Sequence, residues 1–127
     1  MEKNHILGAL RVLIVEDETL IALLLEDMLA ELGATIVGPF ARLADALAAV
    51  LLDNFDVALV DMNLRGERAD DVARLLAQRG IPFALATGNP EAGRSFGETT
   101  VLQKPFTFGD IEAALKRLSG ARGHSPG

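Results

Sequence analysis

A chain of 127 residues, half of them apolar, can bury the core of one domain and leaves little room for a second. The formal net charge of −6, with basic residues scattered rather than clustered, argues against nucleic acid as a partner. The absence of cysteine excludes disulfides and thiolate metal sites and agrees with a cytoplasmic location. The longest apolar run, residues 20–25, is far shorter than a membrane span, so we expect no membrane association.

Short apolar or β-branched runs alternate along the chain with longer segments of helical periodicity. The short runs predict five strands, at residues 11–15, 34–38, 56–60, 82–86 and 99–102. The longer segments predict about five helices, although the crossover over residues 89–97 has little apolar content. Strands that alternate with helices pair in parallel through right-handed crossovers. The pattern therefore predicts an α/β fold: a five-stranded parallel doubly wound sheet with helices on both faces.

The ends of the helices carry signals of their own. Gly33, Gly80 and Gly120 each follow a periodic stretch and are predicted to end a helix in the left-handed conformation. Thr107 and Asp110 have the spacing of a capping box that opens the last helix. We expect an N-terminal arm over residues 1–10, a single domain over residues 11–118 and a flexible tail over residues 119–127.

Polar residues stand at the carboxyl ends of four predicted strands, which is the edge where open α/β sheets bind ligands. They are Glu16 and Asp17 after the first strand, Asp61 after the third, Thr87 after the fourth, and Lys104 with Pro105 after the fifth. Each has a plainer explanation: Asp17 could cap the following helix, and the others could be turn residues or solvated surface groups. Their joint placement at one edge favours a functional site.

Carboxylates that crowd at one edge repel one another and favour a bound hard cation. Mg2+ prefers oxygen ligands of this kind, usually one or two carboxylates with water and phosphate. A carboxylate can also act as the nucleophile that accepts a phosphoryl group. Mg2+ and Lys104 would then balance the charge of the phosphoryl oxygens, and the Thr87 hydroxyl would donate a hydrogen bond. Gly88 has no side chain, so the backbone there can approach a phosphate closely.

Four stretches resemble the signature motifs of bacterial response-regulator receiver domains: VLIVEDE, VALVDMNLRGE, ALATG and LQKPF. The resemblance extends from about residue 11 to about residue 118. It implies a flavodoxin-like receiver fold, a role in two-component or phosphorelay signalling, and no enzymatic activity beyond the domain's own phosphorylation and dephosphorylation. It also implies specific roles for individual residues. Asp61 would be phosphorylated, and Mg2+ would be bound by Glu16, Asp17, Asp61 and the backbone carbonyl of Asn63. Contact with the phosphate or switching is implied for Thr87, Gly88, Lys104 and Pro105, and the peptide bond before Pro105 is expected to be cis.

Two positions depart from the family pattern, and one of them is Arg65, in the loop after Asp61, where many members have Pro. Val101 stands three residues before Lys104, where the family usually has a Tyr or Phe that reports phosphorylation, and the chain contains no Tyr. Together with the stretch PFALATG, this departure resembles a subgroup of single-domain receivers from alphaproteobacteria. Because Val101 is too short and too stiff for a large side-chain swing, we expect residues 89–97 to carry the response by becoming ordered or by repacking.

The resemblance implies a sensor histidine kinase or a histidine phosphotransfer protein as the partner. The apolar run over residues 20–25 is wider than one buried helical stripe requires. Leu20 and Leu23 are therefore candidate docking residues for such a partner. The alternative is that Leu23 merely packs at the edge of its helix, since scattered exposed apolar residues are normal.

Two other functions stay open. The chain could be a degenerate receiver that acts as a phosphorylation-independent protein-interaction module, although all the expected site residues are present. It could also be an enzyme that binds a flavin or dinucleotide on a doubly wound sheet. The first turn, VEDETL, argues against this because it has no glycine to admit a cofactor phosphate.

Overall fold

The computed structural model describes residues 7–64, 66–89, 91 and 100–123. This part of the chain contains the strands β1 (Arg11–Val15), β2 (Thr35–Phe40), β3 (Val57–Asp61), β4 (Asn63–Leu64), β5 (Glu67–Arg68), β6 (Phe83–Thr87) and β7 (Thr100–Gln103). Five of them form a parallel sheet in the order β2-β1-β3-β6-β7, and β4 and β5 form a small antiparallel hairpin. The predicted fold class is confirmed, and each predicted strand begins within one residue of its observed start.

Helices cover both faces of the sheet. The described residues contain α1 (Thr19–Leu32), α2 (Leu43–Leu52), α3 (Asp70–Gln78) and α4 (Phe108–Gly123). Because strand side chains alternate between faces, Leu13 and Val15 pack in the cluster with α2 and α3, whereas Val12 and Ile14 pack in the cluster with α1 and α4. The central strands are buried on both faces, which explains their nearly continuous apolar sequences.

The predicted helix ends are confirmed in three of four places. Gly33 and Gly80 have φ angles of 85° and 69° after α1 and α3. The capping box opens α4: the Thr107 N–H donates to Asp110 Oδ2 at 2.9 Å, and the Asp110 N–H donates to Thr107 Oγ1 at 3.1 Å. The prediction that Gly120 ends the last helix is wrong, because α4 continues to Gly123. Glycine permits a left-handed ending but does not enforce one, and the alanine and arginine that follow Gly120 are good helix formers.

Several local features differ from the sequence-based picture. Leu7 and Leu10 are buried in the core, on the side of α1 and α4, although they lie in the predicted N-terminal arm. Asp17 does not cap α1; the N-cap residue is Glu18, which makes no side-chain capping bond. The domain boundaries stay a prediction, and the predicted switch segment over residues 89–97 lies largely outside the described residues. No helix in the described ranges is both long and apolar enough to cross a membrane.

Candidate metal and phosphoryl-acceptor site

The polar residues predicted at the strand ends do meet at one edge of the sheet. Glu16 and Asp17 directly follow β1, and Asp61 is the last residue of β3. Thr87 ends β6, and Lys104 directly follows β7. Because β1, β3, β6 and β7 are neighbours in the sheet, their carboxyl ends form a continuous polar edge.

The carboxylates of Glu16, Asp17 and Asp61 form a compact cluster. One carboxylate oxygen from each residue lies within 4.8 Å of the other two. Glu16 and Asp61 are each only 3% exposed and are the buried charged side chains of the described part of the chain. Buried carboxylates are costly unless a cation or hydrogen bonds compensate their charge, so this cluster requires compensation.

Part of that compensation comes from the protein itself. The Lys104 ammonium donates to Asp61 Oδ1 at 3.0 Å, and the Asn63 backbone N–H donates to the same oxygen at 3.1 Å. The Lys104 backbone N–H donates to the Thr87 carbonyl at 2.9 Å, which ties the end of β7 to the end of β6. The ammonium of Lys104 therefore contacts the Asp61 carboxylate directly.

The Glu16 carboxyl has a perturbed pKa. Burial raises the pKa of the Glu16 carboxyl from 4.5 to about 7, and the neighbouring Asp61 carboxylate adds to this rise. The Glu18 backbone N–H, which donates to Glu16 Oε2 at 3.1 Å, and the charge of Lys104 oppose it. A carboxylate that is costly to ionise without a cation is suited to bind one.

The Thr87 hydroxyl makes a local turn contact. Its oxygen accepts the Asn89 backbone N–H at 3.0 Å, and Asn89 Oδ1 accepts the Glu91 backbone N–H at 3.0 Å. The turn explanation for Thr87 is therefore correct. The turn contact involves only the hydroxyl oxygen as an acceptor, so the hydroxyl hydrogen can still be donated to another group. Gly88 is exposed, and an added Cβ would meet nothing within 4 Å, so its role beside a phosphate stays a prediction. The Lys104–Pro105 peptide bond is cis, as the resemblance implied.

The candidate docking residues lie on the outer face of α1, the helix that begins two residues after Asp17. Leu20 is 75% exposed and Leu23 is 50% exposed. Docking by these leucines stays a prediction, beside the alternative that Leu23 packs at the edge of the helix. Leu24, at 51%, extends the same apolar surface and was not among the predicted residues.

Sequence reasoning also missed the support behind Glu16. The Glu16 backbone N–H donates to the carbonyl of Phe40, the last residue of β2, at 2.9 Å. The pair Gly38-Pro39 was the available signal, since both residues inside a strand pattern mark a bulge or an edge strand.

The donor set of the cluster fits Mg2+. Carboxylate oxygens on a rigid strand edge are hard ligands, and the small number of protein ligands suits an ion that keeps several waters. The burial of Glu16 beside Asp61, which raises the pKa of its carboxyl to about 7, places at this point a carboxylate that a bound cation would help to ionise. The Asn63 carbonyl, two residues after Asp61, stays a predicted fourth ligand.

Comparison with known proteins shows the family to which the chain is similar. The family model of the response regulator receiver domain matches residues 12–116. SdrG from Sphingomonas melonis Fr1 has 45% identity and a TM-score of 0.75, with 87% of this chain and 96% of SdrG covered. Its BeF3-activated conformation, solved for Pseudomonas melonis Fr1, superposes with a TM-score of 0.72.

Two further relatives are similar at lower identity. The receiver domain of the PhyR response regulator from Erythrobacter litoralis has 30% identity and a TM-score of 0.77, over 94% of this chain and 95% of that one. The transcriptional regulatory protein PdtaR of Mycobacterium tuberculosis is 31% identical over 112 residues, which are 84% of this chain and 55% of PdtaR. The chain thus spans about half the length of the curated relatives it matches.

Proposed function

Because the chain belongs to the response regulator receiver domain family, we propose that it accepts a phosphoryl group on Asp61 with the help of Mg2+. The observation that carries the proposal is the joint geometry of the three clustered carboxylates and Lys104, whose ammonium lies 3.0 Å from Asp61 Oδ1. Receiver domains are signalling modules, and we propose that this chain takes part in two-component or phosphorelay signalling. The acceptor is used stoichiometrically, so the chain is not proposed to be an enzyme.

The chemistry follows from the burial and charges of the site. An Asp61 carboxylate oxygen attacks the phosphorus atom of the donor, and an acyl phosphate bond forms as the donor's bond to phosphorus breaks with its electron pair. Glu16, Asp17, Asp61 and the Asn63 carbonyl would hold Mg2+, which when bound supplies positive charge beside the phosphoryl oxygens. Lys104 balances charge from the other side of Asp61, and the Thr87 hydroxyl donates to a phosphoryl oxygen.

Phosphorylation with a small-molecule donor tests this proposal. Wild-type protein incubated with acetyl phosphate and Mg2+ should gain the mass of one phosphoryl group, and Asp61→Asn should gain none. Asp70→Asn is a matched control, because Asp70 lies at the start of α3 and pairs with Arg68 rather than with the cluster. If wild type is not labelled while Mg2+ is present, the degenerate interaction module becomes the better account. Equal labelling of Asp61→Asn would refute the assignment of the acceptor.

We further propose that a sensor histidine kinase or a histidine phosphotransfer protein docks on the exposed leucines of α1. The proposal is supported by the position and exposure of these leucines. Leu20 and Leu23 are at least half exposed, and the helix that carries them begins close to Glu16 and Asp17. Leu23→Asp should slow phosphoryl transfer from the partner and leave acetyl phosphate labelling unchanged. Leu52→Asp, on the similarly exposed end of α2, is the control that should leave both rates unchanged. Equal partner rates for Leu23→Asp and wild type would remove this docking surface.

The solved BeF3-activated conformation of SdrG supports an activated state for this chain as well. We propose that it depends on Thr87 and on residues 89–97, because Val101 has no aromatic ring to move. Hydrogen exchange with and without beryllofluoride tests this: protection changes that centre on Val101 and α4, with residues 89–97 unaltered, would contradict it. The cytoplasmic location stays a prediction.

A further inference from the structure

The edge strand β2 contains an irregularity directly beside the acidic cluster. Its register with β1 runs without interruption from Arg11 opposite Thr35 to Leu13 opposite Val37, but Val15 then lies opposite Phe40. One extra residue is therefore inserted into β2. We call Gly38, Pro39 and Phe40 the β2 bulge. The described pairs of β1 with β3, β3 with β6 and β6 with β7 keep one register throughout.

The β2 bulge contacts the end of β1 from which Glu16 projects. The Phe40 carbonyl accepts the Glu16 backbone N–H at 2.9 Å, and Glu16 lies beyond the last paired residue of β1. The position of the Glu16 backbone therefore depends on Phe40 rather than on regular pairing with β3. Bulges are rare between parallel strands, and bulges in general often occur next to active sites, where they redirect a side chain.

Gly38 is the residue that makes this close approach possible. Its φ angle is +109°, and a Cβ atom there would lie 2.9 Å from the Ile14 carbonyl oxygen and 2.9 Å from Phe40 Cδ2. The Ile14 oxygen belongs to the backbone of β1 and cannot rotate away. Any side chain at position 38 must therefore move the β2 bulge relative to β1, by about 0.5 Å if an ordinary contact of about 3.4 Å is to be restored.

We propose that the β2 bulge is a positioning element for the Mg2+ ligand Glu16, and that Gly38 is its key positioning residue. This inference rests on the proposed function, because it assumes that Glu16 binds Mg2+. Functional groups must be held within about 0.5 Å of their productive geometry, and the displacement expected from a side chain at position 38 has that size. Gly38 touches neither metal nor phosphate; it acts through Phe40 and the backbone of Glu16.

Gly38→Ala tests the inference, with Gly80→Ala as a matched control. Gly80 also has a positive φ, +69°, but an added Cβ there meets nothing within 4 Å, so Gly80→Ala carries backbone strain without a displacement. Both variants should melt at a lower temperature than wild type. Only Gly38→Ala should weaken binding of Mg2+ alone, by about tenfold or more, as the loss of a supporting group around a metal site does. Titration by NMR chemical shifts measures the affinity.

Phosphorylation kinetics separate positioning from general damage. With acetyl phosphate as donor, Gly38→Ala should need more Mg2+ for its half-maximal rate but should approach the wild-type rate when Mg2+ is saturating. If Gly38→Ala does not fold, Phe40→Leu replaces it, because it keeps the carbonyl and removes the ring that packs against Gly38. Phe40→Leu should show a smaller loss of Mg2+ affinity in the same direction.

The outcomes distinguish this inference from the proposed function. If Gly38→Ala folds and binds Mg2+ with wild-type affinity, the proposed role of the β2 bulge is wrong, while the proposed function is unaffected. If Gly38→Ala does not fold, wild-type Mg2+ affinity of Phe40→Leu leads to the same conclusion. Wild-type protein that neither binds Mg2+ nor gains a phosphoryl group overturns the proposed function together with the inference.

Discussion

Replacing Glu16 by glutamine should stabilise the metal-free protein at alkaline pH and leave it unchanged in acid. The Glu16 carboxyl has a folded-state pKa of about 7 against an ordinary value of 4.5, because burial disfavours its charged form. When the pKa of a group is higher in the folded than in the unfolded state, the protonated group favours the folded state. This stability is fully present at a pH below the unfolded-state pKa and is lost as the pH rises through the folded-state pKa. Glutamine keeps the shape and stays neutral at every pH, so its advantage over glutamate should appear between pH 4.5 and about 7.

The size of the effect follows from the same two values. At about 1.4 kcal/mol per pH unit between 4.5 and about 7, the ionised carboxylate lowers the free energy of unfolding by roughly 3 kcal/mol at pH 8. With an unfolding entropy of about 2.1 cal/mol/K per residue, a chain of 127 residues changes its melting temperature by about 4 °C per kcal/mol. Glu16→Gln should therefore melt on the order of 10 °C above wild type at pH 8.

Circular dichroism melts in EDTA at several pH values between 5 and 8 provide the measurement, since the chain has no Trp or Tyr for fluorescence. Glu18→Gln is the matched control, because Glu18 is exposed and lies only two residues away. Its difference from wild type should not grow with pH. A Glu16→Gln advantage that is equally large at pH 5 and pH 8, or absent at both, would refute the reasoning about burial.

Three further predictions concern the site, the core and a helix end. Asp17→Asn should reduce the rise in melting temperature that Mg2+ causes in wild type, whereas Asp27→Asn, on the outer face of α1, should not. An equal rise in melting temperature for both variants would count against Mg2+ binding by the cluster. Leu29→Ala should lower the free energy of unfolding by about 2–5 kcal/mol in urea titrations, because Leu29 is fully buried. Leu20→Ala, at an exposed position, should stay within about 0.5 kcal/mol of wild type, and a similar loss for both leucines would contradict the packing. Thr107→Ala should cost about 1 kcal/mol in the same titrations, because it removes the hydroxyl that accepts the Asp110 N–H; no loss would mean that water replaces the cap.

The sequence predicts the sheet and the polar edge well, because both depend on local patterns. Strand runs, helical spacing and the order of elements are all visible before folding, and they place Glu16, Asp61 and Lys104 at strand ends. The β2 bulge was not predicted, since Gly38-Pro39 resembles a strand end and only pairing with β1 carries the strand on to Phe40.

Other features depend on surroundings that no local pattern encodes. The hairpin of β4 and β5 has two residues in each strand, which is too short for any periodicity. The burial of Glu16, and with it the raised pKa, arises from contacts between distant segments. Gly120 shows that a local signal can also mislead. Glycine permits a helix to end, but α4 continues past Gly120 to Gly123.

The buried leucines before β1 bear on how this domain can be cut and recombined. The family match begins at residue 12, yet Leu7 and Leu10 are 2% and 1% exposed and pack with α1 and α4. The Leu10 carbonyl also accepts the Thr35 N–H at 2.8 Å, so the segment is joined to β2 as well as to the core. A chimaera that joins a foreign sequence at residue 11 would discard two core side chains and leave their space empty. For grafting or fusion, the segment to keep therefore includes Leu7, several residues before the boundary that family likeness alone suggests.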